Sequence, residues 1–137
     1  MEFLNDHIVQ TQILQSIIPL LMVVLFTQSG LDKVFDFRGN LEWMTGHFSK
    51  TLLRSVVRPS LIAITVMELG AALLCAAGVM GIWFFSSTSL AFWGLVLSVL
   101  TLLKLFTGQR IAKEYAGAAT IAMYVLIVAA GIFFLKS

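Results

Sequence analysis

Charged side chains are scarce in this chain. Asp, Glu, Lys and Arg make up 12% of its 137 residues, whereas 59% of the residues are hydrophobic. Soluble domains average about 25% charged and about 45–50% apolar residues, so the composition excludes an ordinary soluble protein. It predicts a polytopic membrane protein, and at this length a single domain over residues 1–137. The formal net charge of +2, without a basic stripe, also argues against a nucleic-acid partner.

Cysteine and histidine are almost absent as well. The one cysteine excludes an internal disulfide, a Cys-x-x-Cys motif and a cysteine-rich metal site. The two histidines, His7 and His47, lie in different segments and cannot share a metal, and we expect His47 to sit at the top of a surface helix without binding a metal. Glycine-rich phosphate loops, nucleophile elbows and haem-binding histidine pairs are also missing. We therefore predict no catalytic residue and no metal, and we do not expect the chain to be an enzyme by itself.

Long apolar runs are what the sequence does contain. A transmembrane helix needs about 20 mostly apolar residues. Four such runs predict spans at about 13–33, 60–80, 87–106 and 116–135. Apolar residues at three- and four-residue spacing also predict an amphipathic surface helix over about 40–54, between spans one and two. The predicted fold is an all-α bundle of four transmembrane helices. Small residues cluster in spans two and four, so we expect these two helices to pack closely together.

The basic residues predict an orientation in the membrane. Five Lys and Arg lie in the connection between spans one and two, and three more lie at the connection between spans three and four. The segment before span one and the turn between spans two and three have none. Cytoplasmic loops carry an excess of Lys and Arg. We therefore expect both charged connections to be cytoplasmic and both termini to lie outside.

Glu68 is the most informative residue of the sequence. Apart from the thiol of Cys75, it is the only ionisable side chain in span two. It lies ten residues beyond Arg58, about 15 Å along a helix axis and near the bilayer midplane. A charged residue there costs roughly 2.5–3.5 kcal/mol to insert and often marks a working site. The alternative, of equal weight, is a protonated carboxyl group with a purely structural role, hydrogen-bonded across helices to one of three residues: Gln28, Ser98 or Thr120.

A polar stripe near the end of span one completes the candidate intramembrane polar site. Gln28 and Asp32 are four residues apart and share one helix face, as do Ser29 and Lys33. Lys33 either anchors the helix at the interface or reaches inward to a carboxylate. A Lys33–Glu68 pair inside the membrane is one hypothesis, but the difference in depth argues against direct contact unless span one dips or water bridges the gap. The candidate site therefore comprises four residues: Glu68, Gln28, Lys33 and Asp32.

Three stretches of the chain resemble the DoxX family of small, four-span bacterial and archaeal membrane proteins. They are FTQSGLDK, in which Gly30 precedes Lys33 by three residues, the amphipathic NLEWMTGHFSKTLL, and MELGAALLCAAG. In the third stretch Glu68 is followed by Ala71 at a position where the family carries glycine, and span three lacks a histidine that many members carry. The resemblance implies a four-span fold in a bacterial inner membrane. One branch of the family is the membrane subunit of an archaeal thiosulfate:quinone oxidoreductase, and other members are linked to oxidative-stress or redox assemblies.

Three functions are consistent with these observations. The first, which we favour at this point, is a non-catalytic accessory subunit of an inner-membrane respiratory or redox complex. It binds no cofactor itself and contacts lipid and other membrane subunits. The second is a quinone-linked redox subunit in which Glu68 and Gln28 serve as proton and carbonyl partners of the quinone. The third is a small transporter or channel with Glu68 in a wet path.

Overall fold

Five α-helices make up the structure, a computed structural model that describes residues 7–136, with the backbone alone for Lys136. They are α1 (His7–Phe35), α2 (Phe37–His47), α3 (Val57–Phe85), α4 (Ser89–Ile111) and α5 (Tyr115–Lys136). Four of them, all but α2, are long and apolar enough to cross a membrane. The prediction of an all-α fold with four spans and a short helix between the first two is therefore confirmed.

The four long helices form a bundle in which consecutive spans are neighbours. Helix α3 packs against α1 and α4, α4 also packs against α5, and α5 returns to contact α1. The interior is filled by large side chains that are almost fully buried, among them Met22, Phe26, Leu61 and Leu95. Because short connections join antiparallel neighbours, the α1–α2–α3 and α4–α5 connections lie at the same end of the bundle. Eight Lys and Arg belong to these connections and their flanks, and we call this end the basic end.

The expected close packing of spans two and four is wrong. Within the described residues, no Cα of α3 lies within 8 Å of a Cα of α5. The small residues of each helix instead serve other neighbours. A Cβ at Gly78 of α3 would overlap the backbone of Ala91 in α4, and a Cβ at Gly131 of α5 would lie 2.7 Å from Ile18 Cγ2 in α1. The small residues thus allow the α3–α4 and α1–α5 contacts.

The amphipathic surface helix is shorter than predicted. It was expected over about 40–54, but α2 ends at His47. Its start is fixed by Asp36, whose carboxylate accepts a hydrogen bond from the backbone N–H of Gly39 at 3.3 Å. Beyond its end, the hydroxyls of Ser49 and Thr51 donate to the backbone carbonyls of Gly46 and Phe48. Such side-chain bonds offer the backbone an alternative to the helix, which is why residues 48–56 form turns.

At the end of the bundle opposite the basic end, two hydrogen bonds join α1 to α3. The side-chain amide of Gln12 donates to the carbonyl of Ile82 at 2.9 Å. The indole N–H of Trp83 donates to the hydroxyl of Ser16, also at 2.9 Å. Because these two bonds link the same pair of helices within about one turn, they fix the relative position of α1 and α3 at this end.

Candidate functional site

Glu68 lies on the face of α3 that points into the bundle. Buried positions recur along α3 every three or four residues, through Leu61, Ile64, Thr65, Glu68, Ala71, Ala72 and Cys75. The Glu68 side chain has no solvent-exposed surface. The carboxylate therefore belongs to the interior of the bundle and does not face lipid.

Lys33 and Glu68 form an ion pair, with Lys33 Nζ 2.9 Å from Glu68 Oε1. The expectation that a difference in depth would keep them apart is therefore wrong. Gly30 allows α1 to approach α3 closely here, since a Cβ at Gly30 would lie 2.6 Å from Leu69 Cδ2 and 3.6 Å from Glu68 Cβ. Lys33 is three residues beyond Gly30, only about 4.5 Å along the helix. Side chains of a helix point back toward its N-terminus, so the long lysine side chain reaches back to the level of the carboxylate.

The Lys33 ammonium has a second partner on its own helix. It donates a hydrogen bond to the hydroxyl of Ser29 at 2.8 Å, and Ser29 O lies 3.4 Å away. The side chain of Lys33 keeps 15% of its surface exposed, in contrast to that of Glu68. Lys33 is thus held between a serine of α1 and a carboxylate of α3, with one side still accessible.

Glu68 depends on Lys33 alone among the described residues. Apart from the contact of Oε1 with the Lys33 ammonium, neither carboxylate oxygen has a hydrogen-bond partner among the described residues. The three predicted partners are engaged elsewhere or lie outside: Ser98 donates to Gly94 O and Thr120 to Ala116 O, whereas Gln28 is exposed on the bundle surface. Removing one partner of a buried ion pair is strongly destabilising because it leaves the other charge uncompensated. A substitution of Lys33 that removes its charge should therefore destabilise the bundle.

The polar stripe of α1 is divided between two faces. Ser29 and Lys33 turn inward and contact each other, whereas Gln28 and Asp32 are both exposed. The backbone carbonyl of Asp32 accepts a hydrogen bond from the side-chain amide of Asn40 at 3.4 Å. Of the four predicted site residues, the structure therefore brings Lys33 and Glu68 together and leaves Gln28 and Asp32 outside.

A cavity of about 470 Å³ lies beside the ion pair at the basic end. Its lining comes from four helices and the segment after α2: Lys33, Asn40, Trp43, Met44, His47, Phe48, Leu53, Val57, Ser60, Ile64, Lys104, Leu105, Thr107, Gly108, Gln109 and Ile111. We call it the basic-end cavity. Small-molecule sites typically measure about 300–1,000 Å³, with mostly apolar walls and a few polar groups. Lys33 belongs both to the ion pair and to the cavity wall, so a molecule in the cavity would contact the lysine that pairs with Glu68.

His47 is a cavity residue that the sequence did not identify. Its Nε2 atom is buried and has no hydrogen-bond partner among the described residues. The ring stacks on Trp43, with centroids 4.6 Å apart and planes 15° apart, and meets the edge of Phe48 at 5.0 Å. The four-residue spacing of Trp43 and His47 could have placed them on one face. However, the cavity exists only because α2 packs beside α1 and α3, with α4 across the open space, and no local sequence pattern predicts that arrangement.

The other two chemically distinctive residues, His7 and Cys75, lie away from this site. His7 lines a smaller cavity of about 290 Å³ at the opposite end, together with Thr11 and Gln12. Cys75 is buried in the core, 3.7 Å from the hydroxyl of Ser98. Within residues 7–136, no three His, Cys, Asp or Glu side chains come together in a way that could hold a metal ion.

Comparison with family models, with curated proteins and with solved structures finds no match to this chain. The class of protein follows from the fold itself. Four apolar helices of spanning length, packed as a bundle, define an integral, multi-pass membrane protein whose outer faces contact lipid. Membership of the DoxX family stays a prediction from the sequence stretches named above.

Proposed function

We propose that this protein is the quinone-binding membrane subunit of a redox system. The observation that supports this function is the double role of Lys33, which neutralises the buried Glu68 and also lines the basic-end cavity. A quinone has acceptor oxygens on an otherwise apolar ring and carries an apolar tail. The cavity offers donors of the matching kind in mostly apolar surroundings, which is the usual composition of a small-molecule site.

Lys33 replaces Gln28 as the proposed carbonyl partner. Gln28 is exposed and is not part of the cavity lining, whereas Lys33 lines the cavity. Reduction of a quinone to a quinol takes up two electrons and two protons. In this proposal a partner protein with its own redox centre supplies the electrons. The two protons come from water at the basic end and pass one at a time through the ion pair: the Lys33 ammonium gives a proton to the carbonyl oxygen, and the Glu68 carboxylate takes up the next proton and returns it to Lys33.

Purification of the tagged protein from its native membrane in mild detergent tests this function. We expect the wild-type protein to carry extractable quinone in a stoichiometric amount. Lys33→Met should lose it, because the donor to the carbonyl is gone, and Glu68→Gln should assemble normally but lose turnover. Asp32→Asn is the matched control, since it changes an exposed charge one residue from Lys33 and should retain the quinone.

The same sample tests the accessory-subunit function. One observation favours that function: Gln28 is exposed on the outside of a membrane-spanning helix. Polar side chains in spans usually face protein or a wet cavity, so an exposed glutamine suits a helix that contacts another subunit. Stoichiometric partner subunits without quinone would overturn the quinone-binding proposal and favour the accessory role. A homo-oligomer that carries quinone would overturn the accessory role.

A further inference from the structure

One face of α2 forms the outer wall of the basic-end cavity. Four of its residues line the cavity at spacings of three and four: Asn40, Trp43, Met44 and His47. No residue of α2 is buried. The wall of the cavity that faces α2 is formed by the last two turns of α4, from Lys104 to Ile111. Since about 470 Å³ stays open among the described side chains, a molecule from outside the chain can occupy this space.

His47 carries an unmet hydrogen-bonding atom on this face. Buried polar atoms almost always have a partner, and an exception calls for an explanation such as a missing molecule. Trp43 covers one face of the imidazole and Phe48 meets it edge-on, so both hold the ring in place. Phe48 in turn lies near α4, since a Cβ at Gly108 would be 3.6 Å from Phe48 Cζ. Nε2 is itself buried, so a partner from the adjoining cavity reaches it only when the imidazole turns between Trp43 and Phe48.

We infer that His47 is the second headgroup-binding residue of the basic-end cavity. Its Nε2 donates a hydrogen bond to one carbonyl oxygen of a quinone, and the Lys33 ammonium donates to the other. This inference rests on the proposed function and names the ligand class of the same site, a ring with two opposed acceptor oxygens. Either the Nε2-protonated tautomer or the imidazolium form of His47 can act as this donor.

A comparison of two ligands tests the role of His47. The full chain is placed in lipid nanodiscs and titrated with decylubiquinone, or with an aryl ketone of the same tail that has one carbonyl. Binding is followed by quenching of Trp43 emission in a Trp83→Phe/Trp93→Phe background, because Trp43 lines the cavity. His47→Phe should weaken decylubiquinone binding about 10-fold, which corresponds to one lost hydrogen bond. It should leave ketone binding unchanged, because the phenyl ring keeps the aromatic packing.

Two control variants and three contrary outcomes make this test decisive. His47→Gln restores a donor and should recover part of the affinity. Thr45→Ala, on the same helix but outside the cavity lining, should change neither ligand. Equal weakening of both ligands by His47→Phe would show a packing role and overturn the inference. Unchanged decylubiquinone binding in that variant would overturn the inference while leaving the proposed function intact. A wild-type protein that binds no decylubiquinone would overturn both.

Discussion

Lys33 and Glu68 differ in how well each charge is supported when its partner is removed. Glu68 has no exposed surface and no other described partner, so Lys33→Met leaves an uncompensated carboxylate in the bundle. We expect a loss of up to about 3–5 kcal/mol in the free energy of unfolding, less if the carboxyl group takes up a proton. Glu68→Gln should cost less, roughly 1–2 kcal/mol, because Lys33 keeps Ser29 and an accessible side. The double variant should be more stable than the sum of the single losses predicts.

The single cysteine provides the measurement for this prediction. Cys75 has no exposed surface in the folded bundle, so a thiol-reactive dye reports its exposure as detergent-solubilised protein is heated. Asp32→Asn serves as the control for a lost surface charge and should leave the transition unchanged. If Glu68→Gln proved as destabilising as Lys33→Met, the idea that Ser29 and the cavity support the ammonium would be wrong.

At the residue scale the sequence named both members of the ion pair, Lys33 and Glu68, but not their direct contact. A lone carboxylate inside an apolar run identified Glu68, because such a residue is costly in lipid and must face the interior. The direct contact with Lys33 was misjudged because axial position was counted between backbones, whereas the lysine side chain reaches back along its helix. His47 could not be assigned from sequence, since its unmet Nε2 depends on contacts among separate helices.

Individual helices make a prediction about close packing. Gly78→Ala should destabilise the α3–α4 contact by about 1–3 kcal/mol, because the added methyl group would overlap the backbone of Ala91. Gly46→Ala in α2 is the matched control, since a Cβ there meets nothing within 4 Å. It should leave stability unchanged or raise it by up to about 1 kcal/mol through helix propensity. The Cys75 dye assay compares the two variants, and equal stabilities would contradict the packing argument.

The positions of the helices were easier to predict than which helices pack against each other. Length and composition alone place the four spans, because only a continuous apolar helix satisfies its backbone in lipid. The end of α2 was missed because the hydroxyls of Ser49 and Thr51 bond the carbonyls of Gly46 and Phe48, which a continuing helix would bond to backbone N–H groups. The neighbours of α3 and α5 were also missed. Small residues show that a helix packs closely, but they do not say against which surface it packs.

The whole molecule makes a prediction about orientation. If the basic end is cytoplasmic, as the positive-inside rule predicts, a cysteine at Ser87 should react with a membrane-impermeant maleimide added to intact cells. A cysteine at Ser55 should react only after permeabilisation. Both serines are exposed and lie at opposite ends of the bundle, and the buried Cys75 should stay silent in each variant. The reverse labelling pattern would invert the orientation.

The two hydrogen bonds that join α1 to α3 far from the cavity also bear on movement. Gln12 and Trp83 fasten the helices at one end, and the Lys33–Glu68 contact lies toward the other. A helix held at one end can rotate about that end but cannot slide along its neighbour. If an occupant of the cavity draws Lys33 away from Glu68, α1 would rotate as a lever about its N-terminal contacts with α3. The largest displacement would fall at the C-terminal end of α1, where α2 begins, so α2 would move with it.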